Sequence, residues 1–373
     1  MEPIKDTKDI LKERPQFLFV TCQVGAEKAV KGELANQWPA FRLAFSRPGF
    51  LTFKLPPNHV LTDDFDLEAV FARAYGFSLG EVAGEDQEEL AAGVWENCKG
   101  RTIQRIHVWE KDRSEPGVHR FEPSITPAAI DAHRLLFQHC PRAQNLAKSA
   151  AGPTAPARAG ELILDCAMLS PNQWWTGFHR AKLIPSRYPG GMMSLELPPD
   201  AVSRAWLKME EALRWSELPI PRGARVTEIG SAPGGASQAL LARGLIVTGV
   251  DPAEMASAVL NHPQFTHIRR RSMEVRRRDF QKIRWLTADM NVAPEYTLDA
   301  VEAIVTHPRV NIRGLLLTLK LPQWELAANV PEYVARIRSW GYNRVQSRQL
   351  QYDRREICVA ALQQPFRRKP PAG

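Results

Sequence analysis

Apolar and polar positions fall into short, distinct blocks along the first part of the chain. Phe17 to Cys22 reads as a strand, Gly25 interrupts it, and Ala26 to Gln37 has helical spacing. Phe41 to Ser46 and Phe50 to Leu55 read as two more strands around an Arg47-Pro48-Gly49 turn. This β-α-β-β order suits a small α+β, ferredoxin-like unit. A second set follows, with an apolar segment near Ala74 to Val82, a helix near Glu88 to Cys98 and a strand near Thr102 to Trp109. Residues 111–160 are less regular: a helix is predicted at Pro127 to Gln138, and Ala150 to Gly160 is an Ala/Pro/Gly-rich loop. Glu161 to Leu169 and Trp174 to Arg180 then read as paired strands joined at Ser170-Pro171-Asn172.

The turn-rich stretch Pro185 to Gly191 marks a boundary. Beyond it Ser203 is placed to cap a helix running through Ala205 to Leu213. From Ala224 onward strands alternate with helices: Arg225 to Ile229, Ile246 to Val250, Ile283 to Thr287, Gly314 to Leu319 and Glu356 to Leu362. That is the order of an open, doubly wound α/β sheet. The expected organisation is an α+β domain over residues 1–190, a Rossmann-like α/β domain over 200–366, and a basic tail over 367–373. The length of 373 residues agrees with two cores, since single cores stop growing at roughly 250–300 residues.

Composition narrows the class. Apolar residues make up 44% and charged residues 24%, as in globular proteins. The net charge of +8 leans toward a polyanionic partner. Cys22, Cys98, Cys140, Cys166 and Cys358 are scattered with no C-x-x-C pair, so neither a disulfide framework nor a cysteine zinc site is expected. Residues 1–15 lack an apolar leader core, and no stretch reaches the roughly 18–20 apolar residues of a membrane span. A cytoplasmic protein without a metal is the expectation.

The chemistry begins at Glu228-Ile229-Gly230-Ser231-Ala232-Pro233-Gly234-Gly235. The loop follows an apolar strand and precedes the helical run Ser237 to Arg243. Glycines let backbone approach a ligand closely, and the helix start presents free N–H groups. Pro233 departs from the G-x-G-x-x-G loop that holds pyrophosphate. S-adenosylmethionine has no phosphate and needs room for a methionine moiety instead. The next strand ends at Asp251, where an acid can take both ribose hydroxyls of an adenosine.

These residues resemble the FtsJ-like ribose 2'-O-methyltransferases, and most of all the RlmM type, which acts on a cytidine ribose of bacterial large-subunit ribosomal RNA. The similarity extends to Ser203 through Lys208, Thr287 through Met290, Leu317 through Pro322 and Tyr352 through Glu356, and so across residues 200–362. In the first half it is carried by Val24-Gly25-Ala26-Glu27-Lys28, with a THUMP-like domain implied but not traced in full. The resemblance implies a Lys-Asp-Lys-Glu tetrad made of Lys208, Asp289, Lys320 and Glu356. It implies a cofactor site of Glu228, Gly230, Ser231, Ala232, Pro233, Gly234, Gly235, Asp251 and Asp289. Glu228 replaces the usual Asp, and the usual acid near Ser272 is missing, which leaves the adenine to Glu274 or to backbone.

A ribose hydroxyl must lose its proton as it attacks the methyl group. A lysine serves as the base only when neutral, and burial beside a second ammonium favours that form. Lys320 is the candidate base, Lys208 the neighbouring cation, and Asp289 and Glu356 position the two. Arg269 to Arg271, Arg276 to Arg278, and Arg367, Arg368 and Lys369 are basic clusters suited to phosphates. Trp174, Trp175, Phe178, His179 and Arg180 are candidates to stack bases, although paired tryptophans on a strand more often belong to a core. The competing functions are a catalytically inactive RNA-binding protein that keeps the methyltransferase fold, and a methyltransferase for a protein or small molecule.

Overall fold

The computed structural model describes residues 15–141, 146 and 152–363. The chain divides into two compact units, Met1–Ser194 and Leu195–Gly373. The basic cluster Arg367-Arg368-Lys369 and the start of the Ala150–Gly160 run lie outside the described residues.

In the first unit the strands are β1 (Phe17–Thr21), β2 (Arg42–Arg47), β3 (Phe50–Lys54), β4 (Ala74–Ala83), β5 (Arg105–Glu110), β6 (Leu162–Ser170) and β7 (Gln173–Arg180). The helices are α1 (Glu27–Gln37), α2 (Gln87–Asn97) and α3 (Pro127–Gln138). Both sequence sets join one seven-stranded sheet of order β2-β3-β1-β4-β7-β6-β5, in which only β5 and β6 pair in parallel. Asp86 caps α2 and Thr126 caps α3, each accepting from backbone N–H groups of the first turn. Trp174 is fully buried, whereas Trp175 packs its ring against Phe50 and donates from Nε1 to Ser78 Oγ. Phe178 is buried against Phe77, and His179 pairs with Asp165. Trp174, Phe178 and His179 therefore do not form an exposed stacking surface: alternation puts Trp174 and Phe178 on one face of β7, where they are buried, and His179 on the other, against Asp165.

The second unit begins with α4 (Ala205–Ser216) and continues as β8 (Arg225–Ile229), α5 (Gly235–Ala242), β9 (Ile246–Val250), α6 (Ser257–Leu260), β10 (Phe265–Ile268), β11 (Trp285–Asp289), α7 (Pro294–Val305), β12 (Gly314–Lys320), α8 (Val330–Ser339), β13 (Arg344–Arg348) and β14 (Glu356–Leu362). Its sheet runs β10-β9-β8-β11-β12-β14-β13. Strands β8 to β12 pair in parallel, and β14 enters antiparallel between β12 and β13. The doubly wound expectation thus gains a reversed strand. Continuous apolar runs such as Leu315-Leu316-Leu317 mark strands covered on both faces. The chain winds from β8 to β9 on one side and returns to β11 on the other, so a crevice opens where the order reverses. Ser203 does not cap α4: Arg204 occupies that position without a side-chain cap, and Ser203 Oγ is buried with no hydrogen-bond partner among the described residues. Among the described residues, no helix is long and apolar enough to cross a membrane.

Candidate active site

Sheet register assembles the site. Lys320, the last residue of β12, is the direct antiparallel partner of Glu356, the first residue of β14. Asp289 ends β11 opposite Thr318, whose side chain shares a face with that of Lys320. Lys320 Nζ consequently lies 2.9 Å from Asp289 Oδ1 and also pairs with Glu356 Oε2. Lys208 reaches in from α4 and pairs with the other oxygen, Glu356 Oε1. All four predicted tetrad residues meet at the C-terminal edge of the parallel strands. Lys208 and Asp289 also line a small cleft with Ala236, Thr318 and Asp353.

The electrostatics differ from the sequence expectation in one respect. Burial disfavours the Glu356 carboxylate, yet Lys208 and Lys320 outweigh it and hold the group down to about 2. Burial likewise disfavours the Lys320 ammonium, but Asp289 and Glu356 hold its pKa above the ordinary lysine range. Lys320 was expected to be pushed down by Lys208. Instead two carboxylates sit directly against its nitrogen, while Lys208 spends its charge on the far oxygen of Glu356. In the free protein Lys320 is an ammonium.

The cofactor-loop residues lie beside this cluster. Gly230 has φ of +79°, and a Cβ there would sit 2.5 Å from the Asp289 carbonyl oxygen, so the loop and the end of β11 touch through backbone. Gly234 caps α5 at φ +119°, and a Cβ on Gly235 would meet Ser203 Oγ at 2.2 Å. The Ala232–Pro233 peptide is cis. Asp251 Oδ2 accepts from Ala232 N at 3.1 Å, and Oδ1 accepts from Ala253 N at 2.8 Å. Asp251 therefore braces the loop while standing at the end of β9. Ser231 is buried with its hydroxyl 3.5 Å from Met255 Sδ. Glu228 is buried and accepts from Ser237 Oγ in the first turn of α5, so its side chain ties strand to helix. Glu274, the candidate for the adenine, turns back to the Arg271 backbone N–H at 3.2 Å.

Some functional neighbours escaped the sequence reading. Glu211 sits on α4 one turn beyond Lys208 and is 3% exposed. Its carboxylate accepts the backbone N–H of Gln351 at 2.8 Å and of Tyr352 at 3.2 Å. It thereby fixes the turn that delivers Glu356. Asp353 is buried in the same turn, and Leu350 N donates to it at 2.9 Å. Burial, and then the Glu356 charge, raise its pKa well above the ordinary carboxyl range. The available signal was the three-residue spacing of Lys208 and Glu211, which puts both on one helix face.

The basic residues Arg269, Arg270, Arg271, Arg276 and Arg278 are exposed around the end of β10 and the turns that follow. Arg269 pairs with Glu254 at 3.2 Å.

Residues 201–337 match the family model of the FtsJ-like methyltransferases. The chain is 28% identical over 380 residues to a ribosomal RNA large subunit methyltransferase M of Halorhodospira halophila, covering 95% of this chain and 99% of that one. A protein of the same name from Salmonella arizonae is 31% identical over 211 residues, 53% of this chain and 56% of its own length. Among solved structures, TrmN from Thermus thermophilus aligns with 93% of this chain and 99% of its own at 12% identity and a TM-score of 0.33.

Proposed function

From a second unit that is an FtsJ-like methyltransferase domain with S-adenosylmethionine as methyl donor, we propose that the protein methylates a ribose 2'-hydroxyl of RNA, and that the RNA is large-subunit ribosomal RNA. The observation that carries this reading is the convergence of Lys208, Asp289, Lys320 and Glu356 beside the 230–235 loop. The names of the Halorhodospira and Salmonella relatives support the choice of RNA.

The residues present fit the donor. Asp251 stands where a ribose is taken in related sheets, the α5 start offers backbone N–H groups, and a cleft lies against Asp289 and Lys208. Bound there, S-adenosylmethionine supplies a methyl group on a positively charged sulfur.

The roles follow from position. Lys320 would first give its ammonium proton to solvent, and a positively charged donor held beside it would oppose the pull of Asp289 and Glu356. The neutral amine then takes the proton of the attacking hydroxyl. Once relieved of that proton, the hydroxyl oxygen would be the nucleophile toward the methyl group of a donor held by the 230–235 loop and Asp251. Glu356 holds Lys208 and Lys320 apart on its two oxygens, and Asp289 fixes the approach of Lys320. Alignment of the three reacting atoms supplies the remainder. The exposed arginines after β10 neutralise RNA phosphates, and the first unit contributes to RNA recognition.

Transfer of labelled methyl from S-adenosylmethionine to ribosomal RNA tests the reading, with Lys320→Ala as the control. A ribose-methylation map that is unchanged when the gene is deleted would count against RNA. No transfer to whole ribosomes, assembly intermediates or naked transcripts would leave the inactive RNA-binding protein.

A further inference from the structure

The first unit contains a polar cluster that plays no part in methyl transfer. His107 on β5 is the register partner of Asp165 on β6, and Asp165 is the partner of Gly177 on β7. Residues two apart on a strand share a face, so His107, Asp165 and His179 stand together on one side of the sheet. His107 is 1% exposed and Asp165 is 2% exposed. One donor atom from each lies within 4.8 Å of the other two. His179 Nδ1 is 2.6 Å from Asp165 Oδ2, and His179 Nε2 is 2.7 Å from the Ser186 carbonyl oxygen.

Two observations ask for a cation. The first is proton bookkeeping. A carbonyl only accepts, so Nε2 of His179 carries a hydrogen. Nδ1 is then a bare lone pair facing a carboxylate unless a proton or a metal ion lies between them. The second is His107. Neither of its ring nitrogens has a hydrogen-bond partner among the described residues. One nitrogen of a neutral imidazole is a free lone pair, and leaving it unused in a sealed interior is uncommon.

We propose that His107, Asp165 and His179 bind a divalent transition-metal ion of the zinc class. Two imidazoles and a carboxylate form a donor set that zinc accepts. A metal-bound imidazole ordinarily donates its other N–H to a carbonyl or carboxylate, and the Ser186 carbonyl already fills that place. Bonds of about 2.0–2.2 Å put tetrahedral ligands roughly 3.3 Å apart, so on binding the 2.6 Å contact of His179 Nδ1 with Asp165 Oδ2 opens, His107 closes in, and a water takes the fourth position. The ion replaces the proton held between His179 and Asp165, which leaves for solvent. It would pin β5, β6 and β7 to the Pro185–Gly191 segment through Ser186.

The full chain, stripped with a chelator, is titrated with Zn²⁺ alone and with Co²⁺ alone. The expected result is one ion per chain, one proton released, tighter binding as pH rises through the histidine range, and a higher Tm. His107→Phe fills the same space with a ring that needs no polar partner. It should cost about a hundredfold or more in zinc affinity and abolish the Tm rise, while the metal-free variant is at least as stable as the wild type. Asp165→Asn should also lose the ion. Absence of stoichiometric binding, binding without proton release, or full affinity in His107→Phe would overturn the proposal. If neither variant folds, the visible absorption of the wild-type Co²⁺ complex decides: intense tetrahedral bands support the site, and their absence rejects it.

Discussion

Lys320 Nζ stands 2.9 Å from Asp289 Oδ1, across two parallel strands that end side by side. Strand register alone brings the pair together, so its geometry is as rigid as the sheet. Lys320→Met keeps the length of the side chain and removes the amine. The expected loss in kcat is about 10²–10⁴, with S-adenosylmethionine affinity nearly unchanged by calorimetry. A Met variant with wild-type kcat would remove Lys320 from proton transfer.

The acids around Lys320 dictate a pH profile. Asp289 and Glu356 hold its pKa above the ordinary range, so the neutral base is scarce at physiological pH. In the free enzyme kcat/KM should climb about tenfold per pH unit from pH 6 to 9, with no plateau. Glu356→Gln removes one of the two charges that favour the ammonium. Its maximal rate should fall because Lys208 loses its partner, yet its profile should move toward lower pH. An unshifted profile would mean that another group limits the reaction.

The sequence made the strands and the tetrad legible, for identifiable reasons. Buried parallel strands are written as unbroken apolar runs, and Lys320 and Asp289 are the charges that terminate two of them. Short, half-exposed strands such as Phe265–Ile268 and Arg344–Arg348 leave little trace in the sequence, since their patterns carry few apolar positions. The raised pKa of Lys320 was also out of reach. Its direction depends on whether Lys208 or the two acids lie closer to Nζ, and the registers of β12 with β11 and with β14 decide that. Ser203 offers a capping hydroxyl in the sequence, but α4 starts one residue later, behind Arg204, and that hydroxyl packs over Gly235 with no hydrogen-bond partner among the described residues.

Gly230 is where loop and strand come closest. Its φ of +79° and the 2.5 Å approach of a Cβ to the Asp289 carbonyl both oppose substitution. Gly230→Ala should cost about 1–3 kcal/mol of backbone strain and displace Asp289. The expected kinetic signature is a raised KM for the donor together with a reduced kcat. A change confined to Tm would mean that the loop tolerates the shift.

Glu211 acts on Glu356 through the chain rather than by contact. Glu211→Ala takes the carboxylate acceptor from the buried N–H groups of Gln351 and Tyr352, and loss of such a bond costs about 1–3 kcal/mol. Beyond that loss of stability, kcat should fall while donor affinity stays near the wild-type value, because the turn no longer delivers Glu356. Glu211→Gln keeps an accepting oxygen and should recover part of the rate. A stability loss with unchanged kcat would confine Glu211 to a structural role.

Glu228 provides a test of the buried loop that needs no substrate. Burial, with the Asp289 and Asp251 charges adding to it, raises this carboxyl from 4.5 to about 8 against the opposing hydrogen bond from Ser237. Near neutral pH the folded protein therefore keeps a proton that the unfolded chain has released. Below pH 4.5 both states are protonated and the group contributes nothing to the pH dependence. As pH rises from there to about 8, the unfolded state gains and stability is lost; above that both states are ionised and the full cost remains. Glu228→Gln preserves the shape and still accepts from Ser237, but cannot ionise. Its Tm should match the wild type near pH 4.5, rise above it progressively toward pH 8, and then hold a constant advantage worth several kcal/mol. Thermal melts across that range make the comparison. A Tm difference independent of pH would mean that Glu228 titrates alike in the folded and unfolded chain.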